Sequence, residues 1–323
     1  KNTLQQSSHW GAVRVLPAET QSVDLLVTCE ILESNGEHLV LKIEVVDASG
    51  KSWLSKTYED EASQSNYSGN LPGEKDAFQD LYNAIANDIT EVKLNLDSNE
   101  IQDIRTTSKL RFANDFAPNA YGSYLKEDEN GIFHLNRLPA DEDPMMERLL
   151  KIREREYMYV DTLNEYYEVF YQEMWPSYEN WRQLNMAEQI AIKKIKRDAI
   201  IRQIVGALLL AGAIAMEAGD VGNTGAIQVG MIIVGGQVII DGFNISKEAE
   251  IHAAAIEELS ESFGREMQPV VMDFQGKKYE LTGSAEEQFK RWRELLRKIY
   301  ITETGFDLDT STEDEASEAE SGP

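Results

Sequence analysis

Apolar and polar residues alternate with a period of two through the N-terminal part of the chain, a pattern typical of β-strands. The pattern predicts strands over 24–32, 38–46 and 52–58, preceded by a shorter strand over 13–16. Between the first two long strands, Asn35-Gly36 supplies residues that tolerate a positive φ, so these strands should form a tight hairpin.

A change of spacing to three and four residues then predicts a helix with one buried face. Asp76 should cap this helix, with Gln79 completing a capping box. Its apolar positions are Phe78, Leu81, Tyr82, Ile85 and Ile89. Strands and helix together predict a small α/β domain over 12–96, which follows a polar tether over 1–11. Residues 97–140 predict a helical connector.

Long helices dominate the pattern from residue 141 onward. Asp143-Pro144 combines an acidic cap with a proline in the first turn, which marks the start of a helix. Pro176 should interrupt this helix, because proline lacks the amide hydrogen that a helix interior requires. Asn185 with Glu188 has the spacing of a capping box and predicts the start of a second helix.

The C-terminal part predicts a β-hairpin over 270–282, and Ser284 with Glu287 should cap a last amphipathic helix. Residues 303–323 are rich in acids and poor in apolar side chains, so they predict a disordered, solvated tail. The expected fold class is α+β: a small antiparallel sheet with a helix, then a mainly α-helical domain over 141–302. That second domain should contain long packed helices and one short C-terminal β-hairpin.

A stretch rich in glycine and alanine over 204–240 predicts a helical hairpin, because small residues let helix backbones approach closely. Its candidate contact residues are Gly206, Gly212, Gly230, Gly235 and Gly236. The candidate basic patch that precedes it consists of Lys193, Lys194, Lys196, Arg197 and Arg202. The hairpin can be buried in protein, or it can insert into a membrane while the basic patch rests on anionic headgroups. Each arm is shorter than the about 20 residues that a spanning helix needs, which favours burial in protein.

Aromatic residues are dense between 157 and 181 and cover more than one face of the predicted helix. Tyrosine and tryptophan are favoured at protein interfaces, so part of this set is expected to contact a partner. The candidate partner contacts are Tyr167, Tyr171, Trp175 and Trp181. Partner contact and burial in the helical core are both open at this point.

The formal net charge of the chain is −26, from 57 acidic and 31 basic residues. Such a field repels phosphate, which argues against nucleic acid as a partner. Hydrophobic residues make up 42% of the 323 residues, enough for globular cores in two domains.

No catalytic or metal-binding spacing stands out in the sequence. The four histidines are scattered among different predicted elements: His9, His38, His134 and His252. Cys29 alternates with apolar residues on a predicted strand, so it should be a small core side chain rather than a nucleophile. Acidic clusters at 59–61 and 141–143 lack the spacing of a dedicated Ca²⁺ loop and are expected to be solvated turns. The sequence therefore predicts no catalytic residue, cofactor or metal.

The segment from Ala12 to Asp88 resembles the amino-terminal domain of the Tol–Pal protein TolB. It also resembles the related domain of outer-membrane lipoproteins such as the curli secretion channel CsgG. The resemblance rests on the residues 23–27, the Asp-Ala-Ser-Gly-Lys turn within 45–53, and the helix over 78–88. It implies a periplasmic, envelope-associated binding or assembly domain that is often oligomeric.

These features predict a non-enzymatic scaffold or assembly protein of the bacterial envelope, which acts through protein–protein contacts and forms a homo-oligomer. The expected location is the periplasm, with a lipid anchor in the outer membrane, because the polar residues 1–8 are typical of a tether behind a lipidated cysteine. The alternative is a membrane-inserting pore or transport component that uses the glycine-rich hairpin at a membrane surface.

Overall fold

The computed structural model describes residues 1–20, 22–67, 76–216, 269–274 and 277–305. These residues form an α+β fold with a three-stranded antiparallel sheet near the N-terminus, a long helical region and a C-terminal strand pair. The expected fold class is therefore confirmed. The predictions made for 217–268 and for the tail beyond residue 305 lie outside the described residues.

A short helix, α1 (Asn2–Gln6), precedes the sheet, whose strand order is β1–β2–β3 with antiparallel neighbours. The strands are β1 (Leu25–Ser34), β2 (His38–Asp47) and β3 (Ser52–Glu61). The predicted hairpin between β1 and β2 is confirmed, since Gly36 adopts a φ of +83°. Asn35 Oδ1 closes the turn by accepting hydrogen bonds from the backbone N–H groups of Glu37 and His38.

One helix, α2 (Gln79–Leu94), covers β2 and β3 and builds the first core. The buried apolar side chains of this core are Leu39, Leu41, Ile43, Val45, Tyr58, Phe78, Leu81, Ile85 and Ile89. Every residue of β1, by contrast, is half-buried or exposed. The helix therefore shields two strands of the sheet and leaves the third largely open.

The predicted capping of α2 by Asp76 is wrong, because the helix begins at Gln79 and its N-cap is Phe78. One carboxylate oxygen of Asp76 accepts the N–H of Phe78 at 2.9 Å, which forms a turn before the helix. The other oxygen is held by Arg182 at 2.9 Å. Asp76 therefore lies two residues before the N-cap and links this turn to Arg182.

The chain then forms α3 (Ser98–Phe116), α4 (Pro118–Tyr121), β4 (Leu125–Glu127) and β5 (Phe133–Leu135). Asp97 and Glu100 make a complete capping box at the start of α3. The turn between β4 and β5 is held by Asp128 Oδ1, which accepts the N–H groups of Asn130 and Ile132 at 2.8 and 3.0 Å. The sequence indicated this charged turn but not the two short strands beside it.

A single helix of 73 residues, α5 (Pro144–Met216), forms the longest element. The predicted start at Asp143-Pro144 is confirmed, because Asp143 Oδ1 accepts the N–H of Met145 at 2.9 Å.

The predicted break at Pro176 is wrong, and so is the second helix start at Asn185, because α5 continues through both positions. Proline inside a helix costs about 3 kcal/mol, so tertiary contacts must offset it. Such contacts follow Pro176 along the helix: Arg182 is fully buried, pairs with Asp76 at 2.9 Å, and lies 6.0 Å from the ring centroid of Phe78.

The second core lies between α3, α5 and the last helix. Its C-terminal elements are β6 (Val270–Phe274), β7 (Lys277–Leu281) and α6 (Ala285–Thr304). The predicted C-terminal hairpin is confirmed by the antiparallel pairing of β6 with β7. The predicted capping box of α6 is confirmed as well, since Ser284 accepts the N–H of Glu287 at 3.2 Å.

The short strand predicted over 13–16 is absent from the structure, which describes all four residues. The segment lies against α5 and is held by side chains of that helix. Arg14 makes two hydrogen bonds to Asp161 at 2.6 and 2.9 Å. The amide of Asn164 bonds both the N–H and the C=O of Val15 at 2.9 and 2.8 Å. Helix side chains thus satisfy backbone groups that a neighbouring strand would otherwise satisfy.

Candidate functional site

An exposed apolar strip lies on β1, at the open edge of the sheet. Val27, Ile31 and Leu32 are 37%, 66% and 51% exposed. The strand register places Val27 opposite Val45 and Ile31 opposite Leu41, and both of these β2 partners are buried. Directly opposed residues share a face of the sheet. Val27 and Ile31 therefore extend the core face of the sheet beyond the area that α2 covers.

Cys29 belongs to the same strip, and the prediction that it is a core side chain is wrong. It lies opposite Ile43, which is 2% exposed, but it is itself exposed. The alternation of the sequence identified the correct face of the strand. It could not show that the covering helix spans two strands rather than three.

The backbone of β1 directs hydrogen-bonding groups away from the sheet. The backbone carbonyl of Asp24 accepts the N–H of Ala48 at 3.1 Å, so the backbone groups of Asp24 point towards β2. Backbone groups alternate sides along a strand, so every second residue over Leu25–Ile31 turns its N–H and C=O outward. Within the described residues no other strand lies beside β1. Such an edge is a template for pairing with another strand.

A second cluster surrounds Arg182, where α5 meets the sheet domain. The guanidinium donates to Asp76 at 2.9 Å and, through Nε, to Glu179 at 3.2 Å. The Arg182 side chain is 2% exposed. Burial acts to lower the pKa of Arg182, but the charges of Asp76 and Glu179 and the hydrogen bond to Glu179 outweigh it and raise the pKa. Arg182 is therefore a permanent, paired and buried charge.

Aromatic rings enclose this guanidinium. Arg182 Cζ lies 4.8 Å from the ring centroid of Trp175 and 4.9 Å from that of Tyr178. The rings of Tyr67 and Phe78 follow at 5.7 and 6.0 Å. Trp175, a predicted partner contact, is half-buried and contributes to an intramolecular cation–π contact.

The other predicted partner contacts have different surroundings. Tyr167 is half-buried and packs against the second core. Trp181 is half-buried, and its ring stacks on Tyr178 at 5.8 Å. Tyr171 is 42% exposed, with its ring 5.2 Å from Trp175. Tyr171 thus presents the most accessible ring of the predicted set.

A third cluster joins α5 to the end of the sheet. Lys193 Nζ lies 2.7 Å from Glu37 Oε1, 3.4 Å from Glu61 Oε1 and 3.5 Å from His38 Nε2. The hydrogen bond to Glu37 raises the pKa of Lys193, and the charges of both carboxylates add to the effect. Lys193, predicted as part of a basic patch, is therefore paired with acids of the sheet.

Some of the remaining members of the basic patch and of the glycine set lie among the described residues, and others do not. Lys194 and Arg197 are exposed on α5. Gly206 and Gly212 lie within the same helix. The side chains of Lys196 and Arg202 and the residues Gly230, Gly235 and Gly236 lie outside the described parts of the chain. None of the helices described combines the length with the apolar character needed to cross a membrane.

A cavity of about 390 Å³ lies between α3, α6 and the β4–β5 hairpin. Its lining includes two arginines, and each of them is hydrogen-bonded to other parts of the chain. Arg111 donates to the carbonyl of Ala48 at 2.8 Å. Arg293 pairs with Asp115 and Glu156 at 2.6 and 2.8 Å. Burial raises the pKa of Glu156, and the charge of Arg293 opposes this shift. These contacts tie α6 to α3 and α5, so we assign the cavity a structural role.

The sequence contained a signal for the cluster around Lys193 and none for the cluster around Arg182. The predicted strands and turns bring the start of β2 opposite the end of β3, which places His38 beside Glu61. The spacing of histidines along the sequence does not show this pair, because its two members lie on different strands. Arg182 and Asp76 are 106 residues apart, and no local pattern links them.

Comparison with protein-family models, with curated proteins and with solved structures found no match to this chain. The three clusters on β1, around Arg182 and around Lys193 are therefore interpreted from the geometry of this chain itself.

Proposed function

We propose that this chain is a non-enzymatic assembly protein that acts through protein–protein contacts and pairs with a second copy of itself along β1. The observation that carries the proposal is the open edge of β1, where an exposed apolar strip and outward backbone groups occur on one strand. A partner strand gains hydrogen bonds from the backbone and apolar burial from the side chains.

The sequence of β1 is compatible with a two-fold axis at Cys29. An antiparallel pair centred on that residue places Val27 of one copy opposite Ile31 of the other, and Thr28 opposite Glu30. Over these central positions of β1, no two charges of the same sign face each other. The product is a six-stranded sheet in which the apolar face continues from one copy into the next. Closed two-fold pairing of this kind is the commonest form of self-association.

The cellular setting of this proposal is the bacterial envelope. The resemblance of Ala12 to Asp88 to envelope domains supports a periplasmic location, with attachment to the outer membrane through a lipid anchor. In this setting the sheet domain makes the assembly contact, and the helices build the body of the assembly. The net charge of −26 favours protein partners over nucleic acid.

The replacement of Ile31 by lysine tests the pairing. Ile31 is 66% exposed, so the monomer should fold normally, whereas a charge on an edge strand opposes pairing. We expect a wild-type dimer in sedimentation equilibrium and a dissociation constant raised at least about tenfold in Ile31→Lys. Leu94→Lys is the matched control, because Leu94 is 68% exposed but lies at the end of α2. This control should dimerise like the wild type.

Cys29 provides an independent measurement, because it is the single cysteine of the chain. A short bifunctional maleimide should join two copies through Cys29 when β1 pairs with β1, and Ile31→Lys should abolish this product. A monomeric wild type, or an equal loss of dimer in Ile31→Lys and Leu94→Lys, would contradict the proposal.

A further inference from the structure

Three potential metal ligands meet at the end of the sheet where β2 begins and β3 ends. Glu37 directly precedes β2, His38 is its first residue, and the strand register places His38 opposite Glu61, the last residue of β3. One ligand atom from each of the three side chains lies within 4.8 Å of the other two. Two paired strands and a tight turn hold the backbone of this group, so its members are positioned before any ion binds.

The group already attracts a cation from elsewhere in the chain. The ammonium of Lys193, on α5, lies between the three side chains at 2.7 Å from Glu37, 3.4 Å from Glu61 and 3.5 Å from His38. The position of this ammonium marks the point where the negative potential of the two carboxylates is concentrated.

Glu37 supplies a second, independent indication of a ligand. Its side chain is 6% exposed, and Oε1 pairs with Lys193. The other oxygen, Oε2, is buried and has no hydrogen-bond partner among the described residues. It faces His38 Nε2 at 3.6 Å. A buried carboxylate oxygen without a donor is costly, and a bound metal ion would satisfy it.

We propose that Glu37, His38 and Glu61 bind a divalent transition-metal ion of the Zn²⁺ type, and that Lys193 is an internal competitor for this site. One imidazole nitrogen with two carboxylates suits Zn²⁺ or Co²⁺ better than Ca²⁺, which prefers six to eight oxygen ligands. Three protein ligands leave at least one position for water.

A modest movement of one side chain brings the three ligands to the spacing that a Zn²⁺ ion requires. Ligand atoms around a tetrahedral Zn²⁺ lie about 3.3 Å apart, given bonds of about 2.0 Å, so the group must contract from its present spacing. Glu61 is the side chain that can move, because it is 61% exposed, whereas Glu37 is fixed by burial. An ammonium and a dication cannot share the site. Metal binding therefore releases Lys193 from the sheet and removes one contact between α5 and the β1–β2 turn.

Competition gives the proposal a sharp test by titration calorimetry with Zn²⁺. The full chain is used without an affinity tag, at physiological ionic strength and with excess Mg²⁺ to occupy weak carboxylate sites. We expect one Zn²⁺ per wild-type chain and a loss of affinity of at least about tenfold in His38→Ala and Glu37→Gln. Lys193→Ala should bind Zn²⁺ more tightly than the wild type by about tenfold, because the competitor is gone.

His134→Ala is the matched control, because His134 pairs with Asp128 at 2.8 Å in a group with two rather than three ligands. Its Zn²⁺ affinity should equal that of the wild type. Co²⁺ supplies a spectroscopic check, since visible absorption bands of four-coordinate Co²⁺ should appear with the wild type and be absent with His38→Ala. Circular dichroism confirms that each variant is folded.

The gain of affinity in Lys193→Ala cannot arise from misfolding, so the proposal stays falsifiable even if other variants are unstable. Equal affinities of Lys193→Ala and the wild type would overturn it. Unchanged binding in His38→Ala would also overturn it, by showing that Zn²⁺ binds to the acidic surface in general. Binding by Lys193→Ala without binding by the wild type would overturn it as a property of the native chain. The test does not depend on pairing at β1.

Discussion

Arg182 joins the sheet domain to the long helix through a buried ion pair with Asp76. Its charge is buried, which proteins tolerate when partners are present. Asp76 approaches from the sheet side and Glu179 from the same helix, while the rings of Trp175 and Tyr178 cover the guanidinium faces. The planar fork of arginine serves partners in two directions, which the single ammonium of lysine cannot do.

Replacement of Arg182 by methionine should lower the free energy of unfolding by about 2 to 4 kcal/mol, because two carboxylates lose their common partner. Arg182→Lys should also be destabilised, by a smaller amount. Urea denaturation followed by circular dichroism measures both. Arg197→Met is the control on the exposed face of the same helix, where a surface substitution changes stability by about 0.5 kcal/mol or less. Equal stabilities of Arg182→Met and Arg197→Met would show that the buried pair contributes nothing.

Residues whose role is local could be predicted from sequence, and residues with distant partners could not. The Asn35-Gly36 turn and the cap at Asp143 are fixed by backbone preferences within a few positions, and both predictions are confirmed. Asp76 had the spacing of a cap, but its carboxylate binds the N–H of Phe78 before the helix begins and also pairs with an arginine far along the chain. A rule based on nearby residues cannot include such a distant partner.

At the scale of elements, the β1–β2 turn and α5 touch through their backbones. A Cβ added to Gly36 would overlap with the carbonyl oxygen of Arg182. The carbonyl of Gly36 itself accepts the hydroxyl of Tyr67 at 2.7 Å. The turn therefore needs glycine both for its positive φ and for its close approach to the helix.

Gly36→Ala should cost about 1 to 3 kcal/mol more than Gly131→Ala, because an added clash with a helix backbone resembles overpacking. Gly131 is a matched control, since it has a φ of +79° against +83° for Gly36. A Cβ at Gly131 would meet its nearest atom, Glu127 Oε1, at 3.7 Å, which is ordinary contact. Thermal and urea unfolding of the two variants isolates the clash from the cost of φ. Similar losses in both would mean that α5 does not press on the turn.

The positions of helices and strands could be predicted from the sequence where one face of the element is buried. The three long strands, α2 and α6 lie within a few residues of their predicted positions, whereas the short strand predicted over 13–16 is absent. The continuity of α5 through Pro176 was not predictable, because Arg182, which follows the proline on α5, is buried against Asp76 from a distant part of the chain. The exposure of Cys29 was not predictable either, since the alternation of a strand does not show how far a helix extends across the sheet.

At the scale of the whole molecule, charge opposes the self-association that the β1 edge favours. Each chain carries a net charge of −26, so two chains repel each other over a distance set by the ionic strength. The strip on β1 is apolar, and its proposed contacts do not depend on opposite charges. The balance between a short-range apolar contact and a long-range repulsion gives the dimer a distinctive response to salt.

We therefore expect sodium chloride to strengthen the dimer. The screening length falls from about 10 Å at about 0.1 M salt to about 3 Å at about 1 M, which removes most of the repulsion between the two chains. Sedimentation equilibrium at both concentrations should give a lower dissociation constant at high salt. The double variant Glu30→Gln, Glu33→Gln removes two of the charges nearest the proposed axis and should respond less to salt than the wild type. Ile31→Lys should remain largely monomeric at both concentrations, because its effect includes the loss of apolar contact. A wild-type dimer that dissociates as salt rises would point instead to an interface held by ion pairs, away from β1.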